Sequence, residues 1–294
     1  MVFVTGLLWG TIGMFSTILS KLGMDSSAVA FYRLLSASVL LIPVLLVKGK
    51  GLSLFRISKR GLISCVLVGF ISQAFYNLFY MKAIEISGMA TAAVLLYTAP
   101  IFVAIMSRLF FREPFGFNKI IAIIINIAGC ILTVTGGDFS GVTLTGYGLL
   151  MGVLAGFTYG TLPVLSRLGA DEENSFTSAF YGQAFGALLL FFMVRPYNGM
   201  GTEFNLPILL AIIGFGIVPS ALAYIIYFGG LGKITETAVV PVLASVETAA
   251  AAVIGFVVFG QSLSGFKIAG IALVFCSIMI MNLRPSALVS SENK

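Results

Sequence analysis

Gly6-Leu7-Leu8-Trp9-Gly10, with Phe15 five residues further on, recurs 142 residues later as Gly148-Leu149-Leu150-Met151-Gly152, with Phe157 in the same place. Further matches follow in the same order. Ser20-Lys21-Leu22-Gly23 pairs with Ser166-Arg167-Leu168-Gly169, and Ala30-Phe31-Tyr32 with Ala179-Phe180-Tyr181. Tyr80 falls opposite Tyr227, and Lys119-Ile120 opposite Lys267-Ile268. Pro100 and Glu113, thirteen residues apart, fall opposite Thr248 and Gln261. The offset drifts between 142 and 149, as loop insertions would make it. Two copies of one unit are expected, over 1–137 and 138–294.

The charge distribution says what the unit is. No Asp, Glu, Lys or Arg occurs in 1–20, 34–47, 61–81, 86–107, 120–137, 139–166, 174–194, 204–232, 248–266 or 268–283. Crossing the hydrocarbon core by helix takes about 20 apolar residues. Spans are expected near 2–20, 29–47, 61–81, 89–109, 118–136, 146–164, 175–194, 207–229, 237–258 and 266–283. The ninth holds one acid, Glu247. With 59% of residues hydrophobic and 10% charged, the 294-residue chain lacks the roughly one-quarter charged residues that a soluble surface uses. The expected fold is an all-α membrane protein of ten transmembrane helices. Each unit holds five, an odd number, so the second must insert upside down. Inverted repeats of this kind mark alternating-access transporters, whose sites lie near the midplane between the repeats.

Orientation follows from the basic residues. With the N-terminus inside, Lys48, Lys50, Arg56, Lys59, Arg60, Arg108, Arg112, Lys119, Arg167, Lys233, Arg284 and Lys294 face the cytoplasm, against Lys21, Lys82, Arg195 and Lys267 outside. That bias places both termini in the cytoplasm. The acids Asp171, Glu172 and Glu173 then share an inside loop, where they weigh little. Val2 to Leu19 has no basic stretch before it and no convincing cleavage site after it, so it reads as the first span rather than a signal peptide. The net charge of +6 comes from this distribution and does not point to nucleic acid.

Several chemistries are excluded. The chain has no histidine, which removes His-Glu zinc motifs, Ser-His triads and histidine proton relays. It has no Walker A sequence. Cys65, Cys130 and Cys276 all fall within spans and read as small packing residues. No enzyme activity, metal or cofactor is expected.

The ordered set of motifs resembles a known family. Gly6-Leu-Leu-Trp9-Gly10, Phe31-Tyr32-Arg33, the run from Ala83 through Ala90-Thr-Ala-Ala93 to Pro100, Phe111-Arg112-Glu113-Pro114 and Ile121 to Gly129 look like one EamA domain. Residues 146–283 look like a second. The resemblance covers essentially the whole chain and implies a ten-helix member of the drug/metabolite transporter superfamily that exports or imports small metabolites, often amino acids. The second copy departs from the usual pattern twice: Glu247-Thr248 stands where Glu-Pro is usual, and Gln261 where an acid is usual.

Within spans, ionisable and polar residues are functional candidates, because an ion in lipid costs about 2.5–3.5 kcal/mol on insertion scales. Glu247 could bind an ammonium group, carry a proton or hold a neighbouring helix. Arg33, one turn inside the outer end of the second span and at the family's usual basic position, could snorkel to the interface or meet a substrate carboxylate. Gln73, Asn77 and Tyr80 share one face of the third span, with Tyr76 beside them, and Ser220, Tyr224 and Tyr227 share one face of the eighth. These stripes would line a cavity or act as interhelical hydrogen-bond glue. Trp9, Tyr97, Tyr159 and Gln183 are further candidates for the cavity wall. Gly152, Gly156 and Gly160, and Gly182 with Gly186, mark close helix packing, while Pro163 and Pro219 are candidate hinges. The reading is a secondary transporter in the plasma membrane, moving an amino acid or a related zwitterion or amine by alternating access. A proton is a candidate coupling ion and lipid the surrounding partner, and a monomer is compatible with the sequence. An organic-cation exporter and a non-transporting membrane scaffold are the alternatives.

Overall fold

The computed structural model describes residues 1–114, 116–142, 145–169, 173–196 and 205–282. Among them there is no strand, and nine helices are long and apolar enough to cross a membrane: α1 (Val2–Lys21), α2 (Ser26–Lys48), α3 (Lys59–Leu96), α5 (Phe117–Thr135), α6 (Gly146–Gly169), α7 (Ser175–Val194), α8 (Leu206–Leu231), α9 (Val239–Phe259) and α10 (Gly265–Asn282). The shorter apolar helix α4 (Ala99–Phe111) completes a tenth crossing. The chain is a multi-pass, all-helical membrane protein. The predicted Arg284 and Lys294, and the acids Asp171 and Glu172, lie outside the described residues.

Five expected spans are irregular, each for a local reason. The predicted third and fourth spans meet at Gly88, whose φ of 81° and lack of Cβ let the chain turn between the two helices. The fourth crossing is then residues 89–96 followed by α4, separated by a tight turn at Tyr97 and Thr98. α1 is interrupted at Gly10 and Thr11, and α9 at Ser245. The three interruptions share one device. The hydroxyls of Thr11, Thr98 and Ser245 each donate to the carbonyl three residues back, all at 2.7 Å. Backbone bonds of the tighter i→i+3 kind occur at the same places, Thr98 N to Leu95 O at 3.1 Å and Thr248 N to Ser245 O at 3.0 Å. Short polar side chains compete with the regular ladder in this way and tighten or bend a helix. Pro100 adds a missing donor after Thr98.

α3 and α8 deviate in the opposite direction. Each widens into a π-helical stretch, over Val68–Phe75 and Gly216–Leu222, and these stretches lie 147 to 148 residues apart, at the offset of the sequence repeat. Pro219 falls inside the second. Pro163, the other candidate hinge, lies in an uninterrupted helix.

Several helix contacts recur when the two halves are exchanged. α2 packs on α7 and α5 on α10. The contact of α3 with α7 is matched by that of α8 with α2, and that of α6 with the fourth crossing by that of α1 with α9. The opening glycine motif explains part of this. A Cβ on Gly6 would fall 2.6 Å from Ala244 O, and one on Gly10 would fall 3.0 Å from Glu247 O, so α1 lies directly on the backbone around the α9 turn. The matching Gly152 makes room for Leu95 of the fourth crossing. Small residues permit such contact where lipid supplies no hydrophobic drive between helices.

Candidate functional site

The turn at Ser245 places Glu247 at the start of the second half of α9, half-buried and opposite the Gly10 break. The Tyr159 hydroxyl of α6 faces its carboxylate, and its charge acts on Tyr76, Tyr80, Tyr97 and Tyr224. Among the described residues no basic side chain pairs with it.

Arg33 is 9% exposed, so it is buried and does not snorkel to the interface. Its guanidinium lies over the Phe215 ring, 5.9 Å from the centroid. Its charge acts on Tyr76 and Tyr224, the same two tyrosines that feel Glu247. Among the described residues no acid pairs with it.

Aromatic rings cluster about the tyrosines that both groups influence. Trp9 packs on Tyr224 and Tyr227 with centroids 5.5 and 5.4 Å apart, and Tyr76 packs on Tyr159 and Tyr80 at 5.3 and 5.7 Å. The Gln73 amide donates to the Tyr224 hydroxyl, joining the α3 and α8 stripes directly. Asn77 instead turns its amide onto the Gln73 carbonyl at 2.6 Å, so it serves its own helix. Trp9, Tyr159 and Tyr227 also line a cavity of about 20 Å³, bounded by Pro163, Pro241 and Ala244. A void of this size holds about one water molecule. The Trp9 indole N–H, the Tyr227 hydroxyl and both amide atoms of Gln183 are buried without a hydrogen-bond partner among the described residues. Each such atom costs about 1–3 kcal/mol, so water or a ligand is the expected partner. Gln183 lies on the buried face of α7, between Gly182 and Gly186, which approach Val68 and Gln73 of α3.

The model of the EamA-like transporter family matches residues 1–135 and again 146–283. The chain belongs to the EamA-like transporter family. A transporter of Archaeoglobus fulgidus is 26% identical over 281 residues, covering 95% of this chain and 94% of its own. The Salmonella typhimurium inner membrane transporter YicL is 23% identical, covering 96% and 94%. A WAT1-related chloroplastic protein of Arabidopsis thaliana is 23% identical over 86% of this chain and 62% of its own. One solved crystal structure shares the fold with a TM-score of 0.78 at 17% identity, covering 96% of this chain and 95% of that one. Family membership and these relatives support a membrane transporter.

Two parts of this EamA-like chain escaped the stripe pattern. Asn126 of α5 donates to Ser245 at 2.6 Å and Ser277 of α10 at 2.9 Å, pinning the α9 turn that carries Glu247. A lone amide in an apolar span was the available signal. The second part is Glu113, whose carboxylate accepts hydrogen bonds from Arg167 of α6, from Thr237 N at 2.7 Å and Oγ1 at 2.9 Å, and from Ala238 N at 3.4 Å. The sequence marked it as the acid opposite Gln261 and as part of the Phe111-Arg112-Glu113-Pro114 motif, without pointing to its partners.

Proposed function

We propose that the protein is a secondary transporter of a small zwitterion, an amino acid or a related compound, across the cell membrane. The reading rests on two ionisable groups of opposite sign within the spans, Glu247 and Arg33, neither paired among the described residues and both within electrostatic reach of Tyr76 and Tyr224. Charges in a membrane interior are costly and normally pair with one another or face a wet path. A zwitterion supplies both missing partners. Its ammonium group would face Glu247 and Tyr159, its carboxylate Arg33, and the Trp9, Tyr224 and Tyr227 rings would cover its apolar part.

The movement is a rocking of two inverted repeats, 1–137 and 138–294, about this chamber, with both termini cytoplasmic. The exchangeable packing, the matched π-helical stretches and the corresponding turns at Thr98 and Ser245 support it. The substrate's own gradient or a proton carried by Glu247 would supply the energy. A second reading, an organic-cation exporter, is favoured by the aromatic surround of Glu247, since rings attract cations. A scaffold of another class would respond to no solute.

Flux into proteoliposomes tests the reading with Glu247→Gln and Arg33→Gln. Both variants should lose transport of the zwitterion. Normal flux in both rejects the proposal, and loss in Glu247→Gln alone favours the cation reading.

A further inference from the structure

The two ends of the molecule carry corresponding residues that are locked to different degrees. At one end, the Arg167 guanidinium lies over the Phe111 ring at 4.5 Å. At the other, the Lys21 ammonium lies over the Phe259 ring at 5.2 Å. Lys21 corresponds to Arg167 in the repeat, and Phe259 to Phe111, at offsets of 146 and 148. Each pair joins the end of a repeat's first helix to the end of the other repeat's fourth. The same cation-on-ring contact therefore stands at both ends.

The acid stands at only one. Glu113 is 6% exposed and binds Arg167, Thr237 and Ala238 together, tying the end of α4 to the ends of α6 and α9. Arg167 also donates to Thr235 O at 3.1 Å, and Lys119 pairs with Glu236 at 2.9 Å beside it. At the other end the corresponding residue is Gln261, which is exposed and whose backbone N–H bonds its own helix at Gly255 O, 3.1 Å away. Lys21 is exposed as well. In the segment corresponding to Thr237, around Met89 and Ala90, Met89 is 70% exposed. Packing follows the same division. α4 rests on the first half of α9, whereas the second half of α9 has no comparable contact with α3 or its extension past Gly88.

We infer that Gln261 leaves one face of the transporter without the acid lock that closes the other, so that the state closed at the Glu113 end is the resting state. On the charge bias that end is cytoplasmic, and the resting state faces outward. The inference rests on the rocking mechanism proposed above. It adds that the bias is set by one residue, and that an acid at 261 beside Lys21 and Phe259 would rebuild the missing lock.

Distances between spin labels test it in a background with Cys65, Cys130 and Cys276 replaced by alanine. One pair, Arg112→Cys with Lys233→Cys, reports the Glu113 end. The other, Met89→Cys with Ser262→Cys, reports the opposite end. The parent should populate mainly the short Arg112–Lys233 distance. Gln261→Glu should shift the ratio of the two states about tenfold toward the short Met89–Ser262 distance, a shift within the usual range of site coupling. Lys21→Ala added to Gln261→Glu should reverse the shift. Glu113→Gln should lengthen the Arg112–Lys233 distance. If Glu113→Gln moves the distribution and Gln261→Glu does not, the inference is overturned while rocking stands. If neither variant changes either distance, both the inference and the rocking mechanism fall.

Discussion

Replacing Glu113 by alanine removes the acceptor of four hydrogen bonds at the junction of α4, α6 and α9. Thr237 is 1% exposed, so its N–H is left buried and unpaired, at a cost of about 1–3 kcal/mol. Arg167 loses its ion-pair partner. Its side chain is 29% exposed and keeps Thr235 O and the Phe111 ring, so the loss lies below the roughly 3–5 kcal/mol of a fully buried broken pair. The sum is about 3 kcal/mol. For a chain of this length that is a fall in Tm of roughly 6 °C, at about 2 °C per kcal/mol. A thermal melt of the purified protein in detergent reads it, and a double-mutant cycle with Arg167→Ala should give a coupling of at least about 1 kcal/mol. The lock also has a pH signature. Burial pushes the Glu113 carboxyl up, but the hydrogen bonds from Thr237 and Ala238 and the charge of Arg167 outweigh it and hold the group below its ordinary value of 4.5. A group lowered in the folded state stabilises the protein above its unfolded value and loses that contribution as pH falls through the folded one. The Tm difference between parent and Glu113→Ala should therefore be full near neutral pH and shrink below about pH 4.5. An unchanged Tm at neutral pH, or a difference that grows on acidification, would refute the reasoning.

Asn126→Ala should lower stability by about 1–3 kcal/mol and weaken transport more than an Asn126→Ser variant, because the α9 turn at Ser245 loses its clamp; melts and flux assays check this. Gly270→Ala should disrupt the α5–α10 contact, since its Cβ would fall 2.8 Å from Gly129 O and 2.5 Å from Thr133 N, and a reduced yield of monodisperse protein would register it. Gln73→Leu should weaken substrate binding and leave the Tyr224 hydroxyl unpaired, whereas Asn77→Leu should affect binding less because Asn77 serves its own backbone; titration of both variants compares them.

The number and type of crossings were legible because lipid punishes unpaired backbone and charge, so every span announces itself by what it lacks. The breaks were not. Thr11, Thr98 and Ser245 are ordinary residues within apolar runs, and only the folded chain shows their hydroxyls bonded three residues back. The break between the third and fourth spans was legible from Lys82 and Glu85, but that Gly88 makes the turn was not: only its φ of 81° shows which residue redirects the chain. At the site, Glu247 stood out as the lone acid in its span, and the tyrosines followed from helical spacing. Arg33 was harder to place, since a long side chain one turn from a helix end could reach either the interface or the interior. The Glu113 cluster escaped because its partners, Arg167 and Thr237, come from helices distant in sequence.

The central claim is that one chamber holds both poles of a zwitterion. Binding of a matched series by the purified protein tests it most directly: an amino acid, the amine lacking its carboxylate, and the acid lacking its ammonium group. The account predicts that the amino acid binds and raises the melting temperature, that the amine is weakened by loss of Arg33 and the acid by loss of Glu247. It further predicts that Arg33→Gln removes the preference for the amino acid over the amine. Equal binding of the amine and the amino acid by the parent protein, or no response to any of the three compounds, would contradict it.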